Sequence, residues 1–268
     1  FVHGDVTDGP GLTRTLERSG AGRLIHLAGL QVPFCAADPV QGARVNVVGT
    51  LNVFEAAKAV GLARLAYASS AAVYGPFPPG SPPPDERAEC VPLTHYGVFK
   101  CANEGNARLY ADAVSSIGLR PLTVYGPGRD QGMTSDPTRA LKAALVGRPF
   151  RIRFTGSTDM QFVPDVAAAF VAAAEGGPNG AHAFNLHGET VSMERVHALI
   201  RQHLPEGAAG IVVDGPELPL PPELDGSALA AALPGLPSTC FEDGLAATLT
   251  HFRQRHDEGC LDVRELDD

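Results

Sequence analysis

An α/β fold on a parallel sheet is the prediction for this 268-residue chain. Three observations carry it. Short apolar runs alternate with segments of helical spacing along the first half. The run RLIHLAG (23–29) is a short, mainly apolar run that ends in glycine, as expected for a buried parallel strand. The segment ARVNVVGTLNVFEAAKAVG (43–61) has apolar residues at helical spacing and stops at Gly61. RLAYASSAAVYG (64–75) reads as the next strand, YGVFKCANEGNARLYADAV (96–114) as the next helix and SIGLRPLTVYG (116–126) as one further strand. Such alternation implies right-handed crossovers and helices on both faces of the sheet. Ligands bind at the carboxyl ends of such strands, where Gly29, Ser70 and Thr123 fall.

Beyond Gly126 the pattern loosens. GPGRDQGMTSDP (126–137) is a turn-rich loop, followed by a helix at 138–147, a short strand at 151–154 and a helix at 163–177. A strand at 182–188, a helix at 192–204, a strand at 211–215, a proline-rich connection at 216–224 and a last helix near 241–256 complete the order. PFPPGSPPPDE (76–86), stiffened by its prolines, reads equally as a substrate loop or a surface excursion.

Composition bounds the function. With 44% hydrophobic residues the chain can bury a substantial core, and it reads as a soluble, cytoplasmic enzyme-like body. A net charge of −9 argues against nucleic acid or an anionic membrane as partner. The start shows no basic-then-apolar leader. Five cysteines without a Cys-x-x-Cys pair and nine scattered histidines argue against a disulfide framework or a metal site.

The chemistry-bearing pattern is Tyr96 and Lys100, four residues apart, after the serine-bearing stretch ending in Ser70. On a helix, that spacing stacks phenol and ammonium on one face, and a neighbouring cation favours phenolate over phenol. Ser70 could then hold a substrate oxygen while Tyr96 moves its proton. Alone, Tyr-x-x-x-Lys is a common accident of exposed helices.

Its context is a run of motifs in order: HGDVTD (3–8), LIHLAG (24–29), DPVQGARVNVVGTLNVFEAAKAVG (38–61), YASSAAVYG (67–75), YGVFK (96–100), LRPLTVYGPG (119–128) and FVPDVAAAFVAAA (162–174). Together they resemble the extended short-chain dehydrogenase/reductase family, in its sugar epimerase and dehydratase branch. The resemblance implies a Rossmann-like, doubly wound parallel sheet, with 1–128 as the dinucleotide-binding core and 129–268 mainly as a smaller substrate lobe, some of whose elements return to the core. It implies Ser70, Tyr96, Lys100 and Asn46 as catalytic residues. It implies cofactor contacts at Asp5, Val6, Leu27, Ala28, Gly29, Gln31, Tyr96, Lys100 and Pro121, and substrate contacts at Ser70 and Thr123. The implied cofactor is NAD or NADP, with NAD favoured. The implied partners are a sugar or sugar-like hydroxy substrate, nucleotide-sugars included, and a second copy of the chain, docked through helices carrying Val53, Phe54, Leu109 and Val114.

Three departures qualify that expectation. The family opens on a Gly-rich strand-to-helix turn that cradles a pyrophosphate, whereas FVHGDVTD reads as the third strand. The chain is therefore expected to be truncated relative to the pattern by roughly 50 to 60 residues, and to bind dinucleotide weakly. The acidic pair that dehydratases of this family carry after the catalytic serine is replaced by Ala71 and Ala72, which leaves epimerisation or simple hydride transfer. Thr158 stands where many nucleotide-sugar enzymes have a phosphate-clamping arginine, leaving Arg129, Arg151 or Arg153 to compensate, or a non-nucleotide sugar, sugar acid or other hydroxy compound as substrate. The competing expectation is a binding protein or enzyme fragment that has lost its cofactor.

Overall fold

The computed structural model describes residues 1–78 and 80–267; Pro79 of the 76–86 loop and Asp268 lie outside them. The first helix, α1 (Gly9–Ser19), starts where Asp8 caps the Gly11 N–H with Pro10 in the first turn, and ends at Gly20 in the left-handed region. β1 (Arg23–His26) follows, then α2 (Val32–Ala37), α3 (Pro39–Ala43), a π-helical turn (Arg44–Val48) and α4 (Gly49–Ala59). β2 (Arg64–Ala68) leads through a 3₁₀ turn (Ala71–Val73) to α5 (His95–Leu109), β3 (Ser115–Arg120) and β4 (Thr123–Tyr125). The second half comprises α6 (Asp136–Leu145), β5 (Phe150–Ile152), β6 (Ser157–Phe162), α7 (Val163–Glu175), β7 (Ala181–Asn185), β8 (Glu189–Ser192), α8 (Met193–His203), β9 (Ile211–Val213), α9 (Ser227–Ala232) and α10 (Phe241–Asp257).

The main sheet has the order β1-β2-β3-β7, every neighbouring pair parallel. Its two faces read directly from β2. Leu65 and Tyr67 join Val53, Phe54, Ala57 and Val114 under α4, while Ala66 points the other way into Ile117, Leu119, Ala169 and Phe170 under α7. Gly118 makes the first packing possible, since a Cβ there would lie 2.5 Å from the Tyr67 ring. This is the Rossmann-like α/β arrangement expected. A third apolar cluster, built on α6, α8, α10 and the small sheets β4-β6-β8 and β5-β9, fills the second half.

Two expected strands are corrected. Residues 1–5 carry no strand: the β1 edge pairs only with β2, so FVHGDV has no ladder beside it. The single strand expected over 116–126 is two strands in different sheets. Pro121, with no N–H and a fixed φ, ends the β3 ladder, and β4 then pairs with β6 instead.

Candidate active site

Ser70 follows the carboxyl end of β2 and opens the 3₁₀ turn, its Oγ accepting the Ala72 N–H at 3.2 Å. Tyr96 sits in the first turn of α5, whose start is fixed by Thr94 capping the Gly97 N–H at 3.1 Å. Gly97 brings the two together, because a Cβ there would lie 2.3 Å from the Ala72 carbonyl oxygen. One turn later the buried Lys100 donates from Nζ to the Ala68 carbonyl at 2.6 Å, with that ammonium 5.3 Å from the Tyr96 ring centroid.

These residues share a cavity of about 270 Å³ with Leu27, Gly29, Leu30, Gln31, Ala72, Pro121 and Arg129. A larger cavity of about 620 Å³ opens between α7 and α9, walled by Val166, Leu186, Leu229 and Leu233. It holds neither Ser70, Tyr96 nor Lys100, so the smaller one is the candidate site.

Asn46 braces the site from beneath. Its Oδ1 accepts the Leu30 N–H at 2.7 Å and its Nδ2 donates to the Leu30 carbonyl at 2.8 Å, pinning the turn after β1. It lies in the π-helical turn, where the backbone leaves the α pattern, and its carbonyl accepts from the Asn103 side chain at 2.8 Å. Gly29 leaves the space above it open: a Cβ there would lie 3.3 Å from Asn46 Oδ1 and 3.9 Å from Lys100 Nζ. That cradle, with the exposed apolar Leu27 at its rim, has the character of a seat for the ribose and nicotinamide of a dinucleotide.

Other predicted contacts fall elsewhere. Asp5, Val6 and Ala28 do not line this cavity. The Asp5 carboxylate takes the Thr7 N–H and hydroxyl, which hold it below the usual carboxylate range, and Val6 is wedged against Gly49 on α4. Thr123 does not line the cavity either: it is 0% exposed, and its hydroxyl bonds that of Thr158 at 2.8 Å. Of the three arginines, Arg153 is locked on the buried Asp136 and Arg151 pairs with Asp214 at the surface. Arg129 alone lines the cavity.

Sequence reasoning missed the support under Ser70. Its neighbour Ser69 faces inward and donates to Glu104 of α5. Arg120 of β3 grips the same carboxylate with Nε at 2.8 Å and Nη2 at 2.6 Å, and donates from Nη1 to the Tyr74 hydroxyl, which donates to Asn185 of β7. Burial pushes the Tyr74 phenol up to about 12, against the Arg120 charge and the hydrogen bonds to Asn185 and Arg120, which act to lower it. A serine pair at a strand end was the available signal, since strand alternation must send one of the two inward.

A profile of the NAD dependent epimerase/dehydratase family matches residues 1–186. The UDP-glucose 4-epimerase of Mycolicibacterium smegmatis is 32% identical over 271 residues, covering 95% of this chain and 83% of that protein. The GDP-6-deoxy-D-mannose reductase of Pseudomonas aeruginosa is 30% identical over 167 residues, 59% of this chain and 55% of its own length. Among solved structures, the UDP-glucose 4-epimerase of Thermus thermophilus in complex with NAD superposes with a TM-score of 0.81 at 27% identity, covering 93% of this chain and 83% of that one. No described helix is long and apolar enough to cross a membrane. With the Ser-Tyr-Lys cavity at the strand ends and a profile match over more than half its length, the chain belongs to the NAD dependent epimerase/dehydratase family.

Proposed function

We propose that this chain transfers a hydride between NAD and a carbinol carbon of a sugar or sugar-like hydroxy substrate, with Tyr96 as the proton-transfer group. The observation that carries the reading is the convergence of Ser70, Tyr96 and Lys100 on one cavity at the carboxyl ends of the sheet. Leu27, Gly29, Gln31, Pro121 and Lys100 would hold the nicotinamide half of NAD, and the cradle over Asn46 fits it. Asp5, Val6 and Ala28 are assigned to its adenine and phosphate end. Bound NAD supplies a hydride acceptor and donor.

The chain's own residues do the rest. Ser70 orients the substrate oxygen through its hydroxyl. Tyr96 takes the hydroxyl proton as the carbinol is oxidised and returns it when the ketone is reduced. Lys100, anchored on the Ala68 carbonyl, keeps a positive charge beside the ring and stabilises the phenolate. Asn46 is a positioning residue that fixes the Leu30 turn. Ala71 and Ala72 offer no acid or base for removing water, so the reaction is an epimerisation or a plain oxidation. Residues 1–128 are assigned to the cofactor half and 129–268 mainly to the substrate half.

We further assign a homodimer to the outer faces of α4 and α5. Val53, Phe54 and Val114 are core, which leaves the exposed Val48, at the end of the π-helical turn that leads into α4, and Val98 and Leu109 of α5 as the apolar contact, with Leu109 84% exposed. Light scattering across a dilution series should give a dimer that Leu109→Glu splits; a monomer at tens of micromolar removes it.

Calorimetric titration with NAD(H) tests the function first. Among the described residues no glycine-rich strand-to-helix turn lines the cavity, so the 268-residue chain should bind at tens of micromolar or weaker. No binding at millimolar NAD would favour a non-catalytic protein.

A further inference from the structure

Arg129 is the unexplained charge of the site. Its Nη2 donates to the Thr134 hydroxyl at 3.1 Å, while its Nε is shielded from water and has no partner. Burial pulls its guanidinium below the usual arginine range; Tyr96 and, more weakly, Asp130 act in the opposite direction. Among the described residues no carboxylate forms an ion pair with it. A half-buried cation without a counter-charge is costly to the fold, and such a cost is retained where a ligand supplies the missing charge. The loop that carries it is tightly built. Gly126, Gly128 and Gly132 all have positive φ, Arg129 N–H bonds the Gly126 carbonyl at 3.1 Å, and a Cβ on Gly132 would lie 2.2 Å from Gln31 Oε1.

The other cations near the site are committed. Lys100 is bonded to Ala68, and Arg153 makes a two-pronged pair with the fully buried Asp136. Arg139 also has an unpartnered Nε, but it lies 4.0 Å from Asp136, donates to the Glu265 carbonyl and covers the Phe150 ring. An adjoining cavity of about 590 Å³ shares Gly132, Met133 and Leu218 with the first. It is lined by these two guanidiniums and by the carboxylates of Asp130 and Glu217, so it offers no net positive charge to a diphosphate. Thr158 adds none.

We infer that Arg129 is the substrate-anion residue of this enzyme, and that the substrate is a compact hydroxy acid, such as a sugar acid, rather than a nucleoside-diphosphate sugar. The planar guanidinium pairs with the carboxylate in two-pronged fashion beside the carbinol whose oxygen Ser70 and Tyr96 hold. The inference rests on the hydride-transfer reading for its chemistry and on Arg129 alone for its specificity.

The test uses the full chain in two measurements. In the first, reduced nicotinamide is followed at saturating NAD with D-gluconate, D-galacturonate and 3-hydroxybutyrate, their neutral alcohol or sugar counterparts, and UDP-glucose. The acids should exceed the neutral compounds by about a hundredfold in kcat/KM. That ratio should collapse towards unity in Arg129→Gln, mainly through KM, and partly return in Arg129→Lys. In the second, ligand-observed NMR without NAD should show saturable binding of a hydroxy acid that is lost in Arg129→Gln and not displaced by UDP. Melting curves confirm that both variants are folded. Turnover of UDP-glucose with an acid-to-neutral ratio insensitive to Arg129 would overturn the anion site and leave the hydride-transfer reading standing. Arg129-dependent acid binding with neither net reduction of NAD nor an epimerised product would uphold the anion site and sink that reading. Absence of acid binding at millimolar concentration would also overturn the proposal.

Discussion

Ser69 and Ser70 are neighbours with opposite fates. Ser69 points into a closed network in which Glu104, Arg120, Tyr74 and Asn185 satisfy one another and join α5 to β3, β7 and the turn after β2. Ser70 points into a cavity where its recorded partner is a backbone N–H, where Lys100 has one carbonyl and where Arg129 keeps an empty Nε. Both regions are polar, and they differ in whether the polarity is spent. A satisfied network fixes geometry; an unspent one waits for a ligand. In this fold the first lies directly beneath the second, so the same strand end supplies rigidity and reactivity.

The comparison predicts which substitutions harm the fold and which harm the chemistry. The largest stability effect belongs to Glu104. Glu104→Ala leaves the buried Arg120 uncompensated, and chemical denaturation should show a loss of about 3–5 kcal/mol. A loss below about 1 kcal/mol would mean that water reaches the pair and that the network is not closed.

A pH profile separates the two regions next. His26, at the end of β1, bonds Thr50 and is held at about 4 by burial first and by the Lys100 charge second. Unfolded, it titrates near 6.5. Between those values the unfolded chain takes up a proton that the folded chain refuses. Stability is therefore full above about pH 6.5 and falls as pH drops towards 4, by roughly 3 kcal/mol. His26→Gln should remove that component from the difference between the two unfolding profiles. Superimposable profiles would show that the ring is already charged in the fold.

Tyr96→Phe stands on the other side of the comparison. Turnover at saturating NAD should fall by at least about a hundredfold, the scale of a lost general acid/base, while the melting midpoint hardly moves. Retained activity would remove Tyr96 from the mechanism.

Much of this was legible in the sequence, for identifiable reasons. The strand-helix alternation and Tyr96/Lys100 on one helix face are local periodicities, and periodicity survives in a one-dimensional reading. Glu104 and Arg120 were not legible as a pair, because their contact depends on the register of α5 over β3. The commitment of Arg153 to Asp136, which singles out Arg129, is likewise a tertiary fact. Residues 1–5 were misread because a strand-like pattern specifies a strand only where a ladder exists to receive it.

The smallest and most direct test exchanges the fates of the two serines. Ser69→Ala removes a donor from a buried, charged acceptor, so it should lower stability by about 1–3 kcal/mol. Activity should then fall only as far as α5 shifts under Tyr96. Ser70→Ala removes one contact to a backbone N–H at the cavity edge, so stability should stay within about 0.5 kcal/mol while kcat drops. Because both variants delete the same hydroxyl from adjacent positions, propensity and unfolded-state effects nearly cancel between them. Equal stability losses would show that the cavity is as tightly bonded as the network beneath it, and the division between spent and unspent polarity would fail where it is sharpest.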